Sequence, residues 1–335
     1  MTTKMISVDQ ATEAIQKLNH RRFSTSIEEL QIVPSLIDGD IKIDVISAEG
    51  RQMGLDPLPE RALLRSLGIG RRFLRACKGD VDLAARALEQ GKVAAKEDGP
   101  LTVNTIGENR IVAIANSKVG SSELPNLSEV WRTIRDGSEG IIGLSDITDV
   151  GRGKFDLRVV TSENFQPKRS VGDITHTGVR VQVTDTSLSV NPYAFRLACL
   201  NGMQRMEEDD QIFIDVSDPY SSLVSSFATA RRKALEMTEQ FVRTDEVVIP
   251  NPHEYVMRAL RIAGANNNLR STVSDRIAAE APNHTLYEIL NIITAIGREA
   301  AGDKPAKRNR VEALAGRVLS MQAGSSRCTK CDSVV

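Results

Sequence analysis

Residues 171–206 read VGDITHTGVRVQVTDTSLSVNPYAFRLACLNGMQRM, and the spacing within them decides the fold class. Val179, Val181 and Val183 alternate with Arg180, Gln182 and Thr184, the period of two that puts successive side chains on opposite faces of a strand. After a short polar turn, a second run carries Leu188, Val190, Tyr193, Phe195, Leu197 and Cys199. Together the runs predict a half-buried β-hairpin. It ends at Asn201-Gly202, a dipeptide suited to backbone positions with positive φ. No catalytic constellation accompanies it.

Upstream, Ala11, Ala14, Ile15 and Leu18 fall on one face of a predicted helix over Val8–Leu18. Strands are expected at Leu30–Val33 and Ile41–Ile46, and a Pro- and Gly-containing connector covers Gly54–Pro59. From Arg61 to Gln90 the pattern is of short helices broken at Gly68, Gly70 and Lys78-Gly79-Asp80. Further strands follow at Leu101–Thr105, Arg110–Asn116, Gly140–Thr148 and Lys154–Thr161, with a helix at Leu127–Arg135 that carries Trp131, the sole tryptophan. Trp131 is most simply a packing residue.

Beyond the hairpin, a strand is predicted at Ile212–Val216 and helices at Ser221–Arg243, His253–Ala263, Thr272–Glu280, Thr285–Ala300 and Arg308–Gln322. Thr285 and Glu288 have the spacing of an N-terminal capping box. The chain therefore reads as α+β, with a mainly antiparallel central sheet, a basic helical segment before it and a helical C-terminal region. The expected division is an N-terminal helix with strands over 1–60 and a main unit over 61–320. The helical segment of that unit covers 61–90, its sheet 101–216 and its helices 221–322. A flexible tail is expected at 323–335.

With 335 residues, 41% of them apolar and 26% charged, the chain can bury a sizeable core and does not read as disordered. A net charge of -1 excludes a global polyanion-binding field and leaves room for local patches. Aromatics at 4% argue against a binding mode built on many stacked bases. The four cysteines do not form a disulfide framework, no apolar run reaches membrane length, and the start lacks the apolar core of a secretory signal. A reduced cytoplasmic protein is expected.

Local charge is uneven. From Arg61 to Lys78 the cations Arg61, Arg65, Arg71, Arg72, Arg75 and Lys78 stand with no acid among them. Arg61/Arg65 and Arg71/Arg75 each share a helix face, where like charges repel unless an anion lies against them. The span fits a solvated face, a surface with an acidic partner within the chain, a phosphate-backbone contact or, less specifically, a helix-turn-helix reader. Arg231, Arg232 and Lys233 add a basic triplet within a predicted helix, and the stretch from Asp303 onward is also basic.

Other candidates are sparser. Glu207, Glu208, Asp209 and Asp210, near Asp215 and Asp218, would suit either a solvated turn or a hard-cation site. Cys328 and Cys331 have the spacing of one corner of a zinc site, but a second ligand pair is not evident, so redox chemistry or an unliganded tail fits equally. No cofactor is expected. His20, His176, His253 and His284 form no arrangement that reads as a triad.

The hairpin also carries a family resemblance. Gly178-Val179 through Ser187, then Asn191-Pro192-Tyr193, Arg196-Leu197-Ala198-Cys199 and Asn201-Gly202-Met203, resembles the hallmark of the phage/plasmid-like family catalogued as domain of unknown function 932. Its signature positions here are Arg196, Cys199, Asn201, Gly202 and Met203. Leu67-Gly68-Ile69, Phe73-Leu74 and Cys77 resemble the family's helical segment, and Thr285-Leu286-Tyr287 with Asn291-Ile292-Ile293-Thr294 its C-terminal motif. Leu200 departs from the commoner Thr or Ser. The resemblance implies a mobile-element gene in a bacterial host and supplies no catalytic residue.

These observations lead to the expectation of a non-enzymatic accessory protein that associates with DNA, single-stranded in particular, as an annealing protein does, and that forms homo-oligomers. The alternatives are a protein-interaction module such as a host-defence antagonist, whose arginines meet an acidic host protein, and a metal-dependent nuclease resting on the carboxylates from Glu207 to Asp218. No membrane association is expected.

Overall fold

The computed structural model describes residues 5–46, 50–95, 100–116, 124–151, 154–168, 173–184, 187–196, 201–204, 211–279, 284–301 and 305–322. In chain order the N-terminal elements are β1 (Ile6–Ser7), α1 (Val8–Leu18), β2 (Arg21–Thr25), β3 (Gln31–Ile37), β4 (Asp40–Ile46) and β5 (Gln52–Leu55). Next come α2 (Pro57–Ser66), α3 (Arg71–Ala76), α4 (Val81–Ala94), β6 (Leu101–Ile106), β7 (Arg110–Asn116) and α5 (Leu127–Gly137). The central strands are β8 (Ile141–Gly151), β9 (Lys154–Phe165), β10 (Thr175–Val183), β11 (Leu188–Arg196), β12 (Asn201–Gln204) and β13 (Ile212–Phe213). The C-terminal part holds α6 (Pro219–Arg243), β14 (Val248–Ile249), α7 (Pro252–Ile262), α8 (Asn267–Ala278), β15 (His284–Thr285), α9 (Leu286–Ala301) and α10 (Pro305–Gln322). The fold is α+β, as the sequence predicts.

The central sheet is antiparallel, in the order β1-β8-β9-β10-β11-β12, with β13 also on β11. One face presents Phe155, Leu157, Val159, Val179, Val181, Leu188 and Val190 to α1, α5 and α6. On α6 the apolar stripe Leu223, Phe227 and Ala230 recurs at helical spacing and meets that face. Gly178 sits beside the irregularity between β9 and β10, where a Cβ would lie 2.5 Å from the Val159 carbonyl oxygen, so only glycine allows the approach.

The opposite face corrects the half-buried reading. Arg180, expected to be solvated, is 5% exposed, and Asp156, Arg158, Asn191, Tyr193 and Phe195 beside it are buried as well. The β10–β11 register runs without a break, so Tyr193 and Phe195 occupy the face opposite Leu188 and Val190. Both faces of the hairpin are covered. Asn201-Gly202 corrects a second expectation, since it lies in strand β12, paired with Arg196 and Phe195 of β11.

The second sheet has the order β2-β6-β7-β5-β4-β3, antiparallel except for the β5–β7 pair. Strands β2 and β5 have no counterpart in the sequence reading. β3 runs on past Pro34 to Ile37, and as the edge strand of the sheet it tolerates a residue without an N–H donor. Ile32, Ile43, Val45 and Met53 share a hydrophobic cluster with Leu63, Leu64, Leu74 and Leu88 of α2–α4, and that cluster runs across residue 60. The C-terminal helices α7–α10, with the end of α6, enclose a further core around Leu260, Val273, Leu290 and Val318. Among the described residues, no helix is long and apolar enough to cross a membrane.

Candidate nucleic-acid interface

Helix α2 begins with Pro57, whose missing N–H costs nothing at that position, after Asp56, which is occupied by Arg110 at 2.8 Å. Leu63 and Leu64 turn inward, leaving Arg61 and Arg65 on the outer face. The helix closes at Gly68, φ 69°, with Ile69 N–H donating to the Leu64 carbonyl at 2.8 Å. Helix α3 buries Leu74 and exposes Arg71, Arg72 and Arg75. It ends at Lys78 and Gly79, both with positive φ, before Asp80 caps α4 through Leu83 N–H at 2.9 Å.

All six cations of the basic span are exposed, Arg61 and Arg65 on α2, Arg71, Arg72 and Arg75 on α3, and Lys78 just beyond it. Arg71 stands 3.5 Å from Glu60. Arg61, Arg65, Arg72, Arg75 and Lys78 have no ion-pair partner among the described residues. Phe73, 38% exposed, adds an aromatic face on the same helix. Between α3 and β4 lies an open cleft of about 510 Å³, lined by Arg71, Leu74, Arg75 and Lys78, by Glu60 of α2 and by β4 from Asp40 to Asp44.

The other basic candidates lie elsewhere. Arg231 on α6, over the central sheet, donates to the Glu139 carbonyl at 2.6 Å and pairs with Glu163. Burial works to raise the Glu163 carboxyl, and the bonds from Arg231 and Thr161 with the Arg231 charge together outweigh it, holding the group below its ordinary value. Arg231 is therefore committed within the protein. Arg232 is exposed, and Lys233 is half-buried and interacts within the chain.

Of the hairpin signature, Arg196 donates from Nε to Asp173 at 2.6 Å and lies 5.7 Å above the Tyr287 ring, while Tyr287 donates its hydroxyl proton to Asp173 at 2.7 Å. Burial, then the bond to Asp173, pushes the Tyr287 hydroxyl up from its ordinary value. Arg196 therefore ties the hairpin to α9. Asn201, Gly202 and Met203 contribute strand backbone, and Cys199 lies outside the described residues.

Cys328, Cys331 and the acids from Glu207 to Asp210 also lie outside the described residues. Nearby, Asp215 accepts from Ser217 N–H and hydroxyl at 2.9 and 2.8 Å, and Asp218 caps α6 through Ser221 N–H. Among the described residues, no group of three His, Cys, Asp or Glu side chains is arranged to hold a metal.

Sequence reasoning missed a buried polar seam between the central sheet and α10. Arg158, 2% exposed, donates to Glu312 at 2.9 Å and to Asn309 at 2.5 Å. Asn309 donates in turn to Asp156 at 2.9 Å, and Arg180 reaches the same carboxylate at 2.6 Å. Arg308 bridges Glu312 at 2.9 Å and Asp146 at 3.4 Å. Burial opposes the Arg158 charge, and Glu312, with Asp146 and Asp156 behind it, outweighs that and holds the guanidinium protonated. No local signal in the sequence marks this seam, because its partners lie on β9, β10 and the distant α10. The seam joins structure to structure, whereas the α2–α3 surface leaves its charges open to an outside anion. Comparison with protein-family models, curated proteins and solved structures finds no match to this chain.

Proposed function

We propose that the protein binds nucleic acid through the α2–α3 surface, gripping the phosphate backbone, with single strands as the favoured form. One observation carries the reading: five exposed cations on adjacent short helices have no ion-pair partner among the described residues, in a chain whose net charge is only -1. Such a patch attracts a polyanion by releasing its condensed counterions. Exposed Phe73 supplies one stacking face, which suits unpaired bases more than a duplex. The resemblance of the hairpin signature to a phage/plasmid-like family points toward the same biology. The reading is of a binding protein without chemistry of its own.

The test is fluorescence anisotropy of labelled single- and double-stranded oligonucleotides of mixed sequence, titrated with folded protein at low salt. Binding of the single strand with clear preference over the duplex is expected. Absence of binding at low salt removes the reading and favours an acidic protein partner, to be sought by pull-down from a bacterial lysate.

A further inference from the structure

Ile41, Ile43 and Val45 turn toward the helices and join their hydrophobic cluster, so Asp40, Lys42 and Asp44, which alternate with them, direct their side chains to the far face of the second sheet. The floor of the cleft between α3 and β4 is therefore apolar. Ile41 and Leu55 are half-buried there, and Ile43 and Leu74 lie more deeply beside them. Leu36, the cross-strand partner of Ile41, extends the same face at the edge of the sheet and is 53% exposed.

The two ends of the cleft differ in charge. Gly54 pairs with Asp44, which sets Leu55 and the start of α2 at one end, and there Glu60 is 9% exposed with Arg71 standing 3.5 Å from it. The acid at that end has its counter-charge within the fold. At the other end, where Gly39 and Gly79 line the cleft, Arg75 and Lys78 have no ion-pair partner among the described residues. The stretch of β4 from Asp40 to Asp44 runs about 13 Å. A volume of about 510 Å³ lies within the roughly 300–1,000 Å³ of sites that hold one small molecule.

We propose that the cleft binds a small monoanion with an elongated apolar body, a fatty-acid-like carboxylate, with its charged head on Arg75 and Lys78 and its chain along Leu74, Ile41 and Ile43 toward Leu55. The chain gains affinity by leaving water, and the two cations fix which way round it lies. Such a site is independent of nucleic-acid binding.

The test is isothermal titration calorimetry of the folded protein with octanoate, with octan-1-ol as the same chain without the charge, and with acetate as the charge without the chain. Wild type should bind octanoate saturably and about tenfold tighter than octan-1-ol, and acetate should give no saturable heat. Changing Arg75→Gln and Lys78→Gln together should weaken octanoate about tenfold and leave octan-1-ol unchanged. Ile41→Thr should weaken both by about fourfold, the scale of one methylene of apolar contact. Circular dichroism confirms that each variant is folded, and the comparison of octanoate with octan-1-ol uses wild type alone. Absence of saturable octanoate binding by wild type overturns the proposal. Octan-1-ol binding as tightly as octanoate, or octanoate binding unchanged in the folded Arg75→Gln, Lys78→Gln variant, overturns it as well.

Discussion

Arginine occupies two opposite settings in this molecule. In the seam, Arg158 and Arg180 are almost fully buried, and each reaches a carboxylate within hydrogen-bond distance. On α2 and α3, Arg61, Arg65, Arg72 and Arg75 stand in solvent with no carboxylate beside them among the described residues. A guanidinium taken out of water is tolerated only with its counter-charge supplied by the fold, so the seam specifies how α10 seats on the sheet. A guanidinium left in water needs no such partner, and its field remains available to an anion from outside. The same residue type is architecture in one region and unpaired surface charge in the other.

The largest expected effect lies in the seam. Glu312→Ala leaves Arg158 buried beside a missing partner and should cost about 3–5 kcal/mol of stability, read as a lowered midpoint in urea denaturation. A loss below ~1 kcal/mol would mean that water or another carboxylate takes over, and the contrast between the two regions would weaken.

His20 sharpens the comparison, because it is a buried group that can carry positive charge but has no anion assigned to it. Its Nδ1 accepts from Leu127 N–H at 3.0 Å, and burial, followed by the nearby Arg22 charge, pushes its pKa down to about 4 from the ordinary 6.5. In the unfolded chain the ring takes up its proton near pH 6.5, whereas in the folded protein it does so only near pH 4. Stability from this group is therefore complete above pH 6.5 and declines as pH falls toward 4, by about 3 kcal/mol in all. Chemical denaturation across that window should show the decline in wild type and a flatter profile in His20→Gln.

Smaller effects follow where charge is removed in balance or from the surface. Replacing both members of the buried pair, Arg158→Met with Glu312→Leu, should recover most of the loss caused by Glu312→Ala and leave the protein within about 1 kcal/mol of wild type or more stable. A double variant as unstable as Glu312→Ala would show that Asn309 and Asp156 depend on the guanidinium itself. Smallest of all, each Ala replacement at Arg71, Arg72 or Arg75 should change stability by no more than about 0.5 kcal/mol, as expected of solvated side chains. A cooperative loss larger than that in the thermal melt would make the α3 cations structural and undo the distinction.

Much of this was legible in the residues because it is local. The apolar stripe over Val8–Leu18 predicts α1 to its ends, and the Thr285–Glu288 capping box forms, with both N–H donors satisfied at 2.7 and 3.2 Å. The basic span was legible as surface because Leu63, Leu64 and Leu74 claim the inward face of its helices. The seam was not, because Arg158 and Glu312 are 154 residues apart, and alternation along a strand gives no sign that a distant helix covers its polar side. Strand β2, RRFST, was missed for a similar reason. Its sequence has little apolar periodicity, and it is held by backbone pairing to β6, far along the chain. The cleft beside α3 was not legible because β4 and α3 are separated along the chain and meet only in the fold.

The central claim, that the exposed arginines of α3 bind phosphates, is tested most directly by the salt dependence of single-strand affinity in wild type and in the Arg71→Ala, Arg72→Ala, Arg75→Ala triple variant. Each phosphate left without its arginine should reduce the slope of log affinity against log salt by about 0.7, so the triple variant should be shallower by about 2 as well as weaker. An unchanged slope and affinity in a folded triple variant would contradict the claim and place any nucleic-acid binding elsewhere on the molecule.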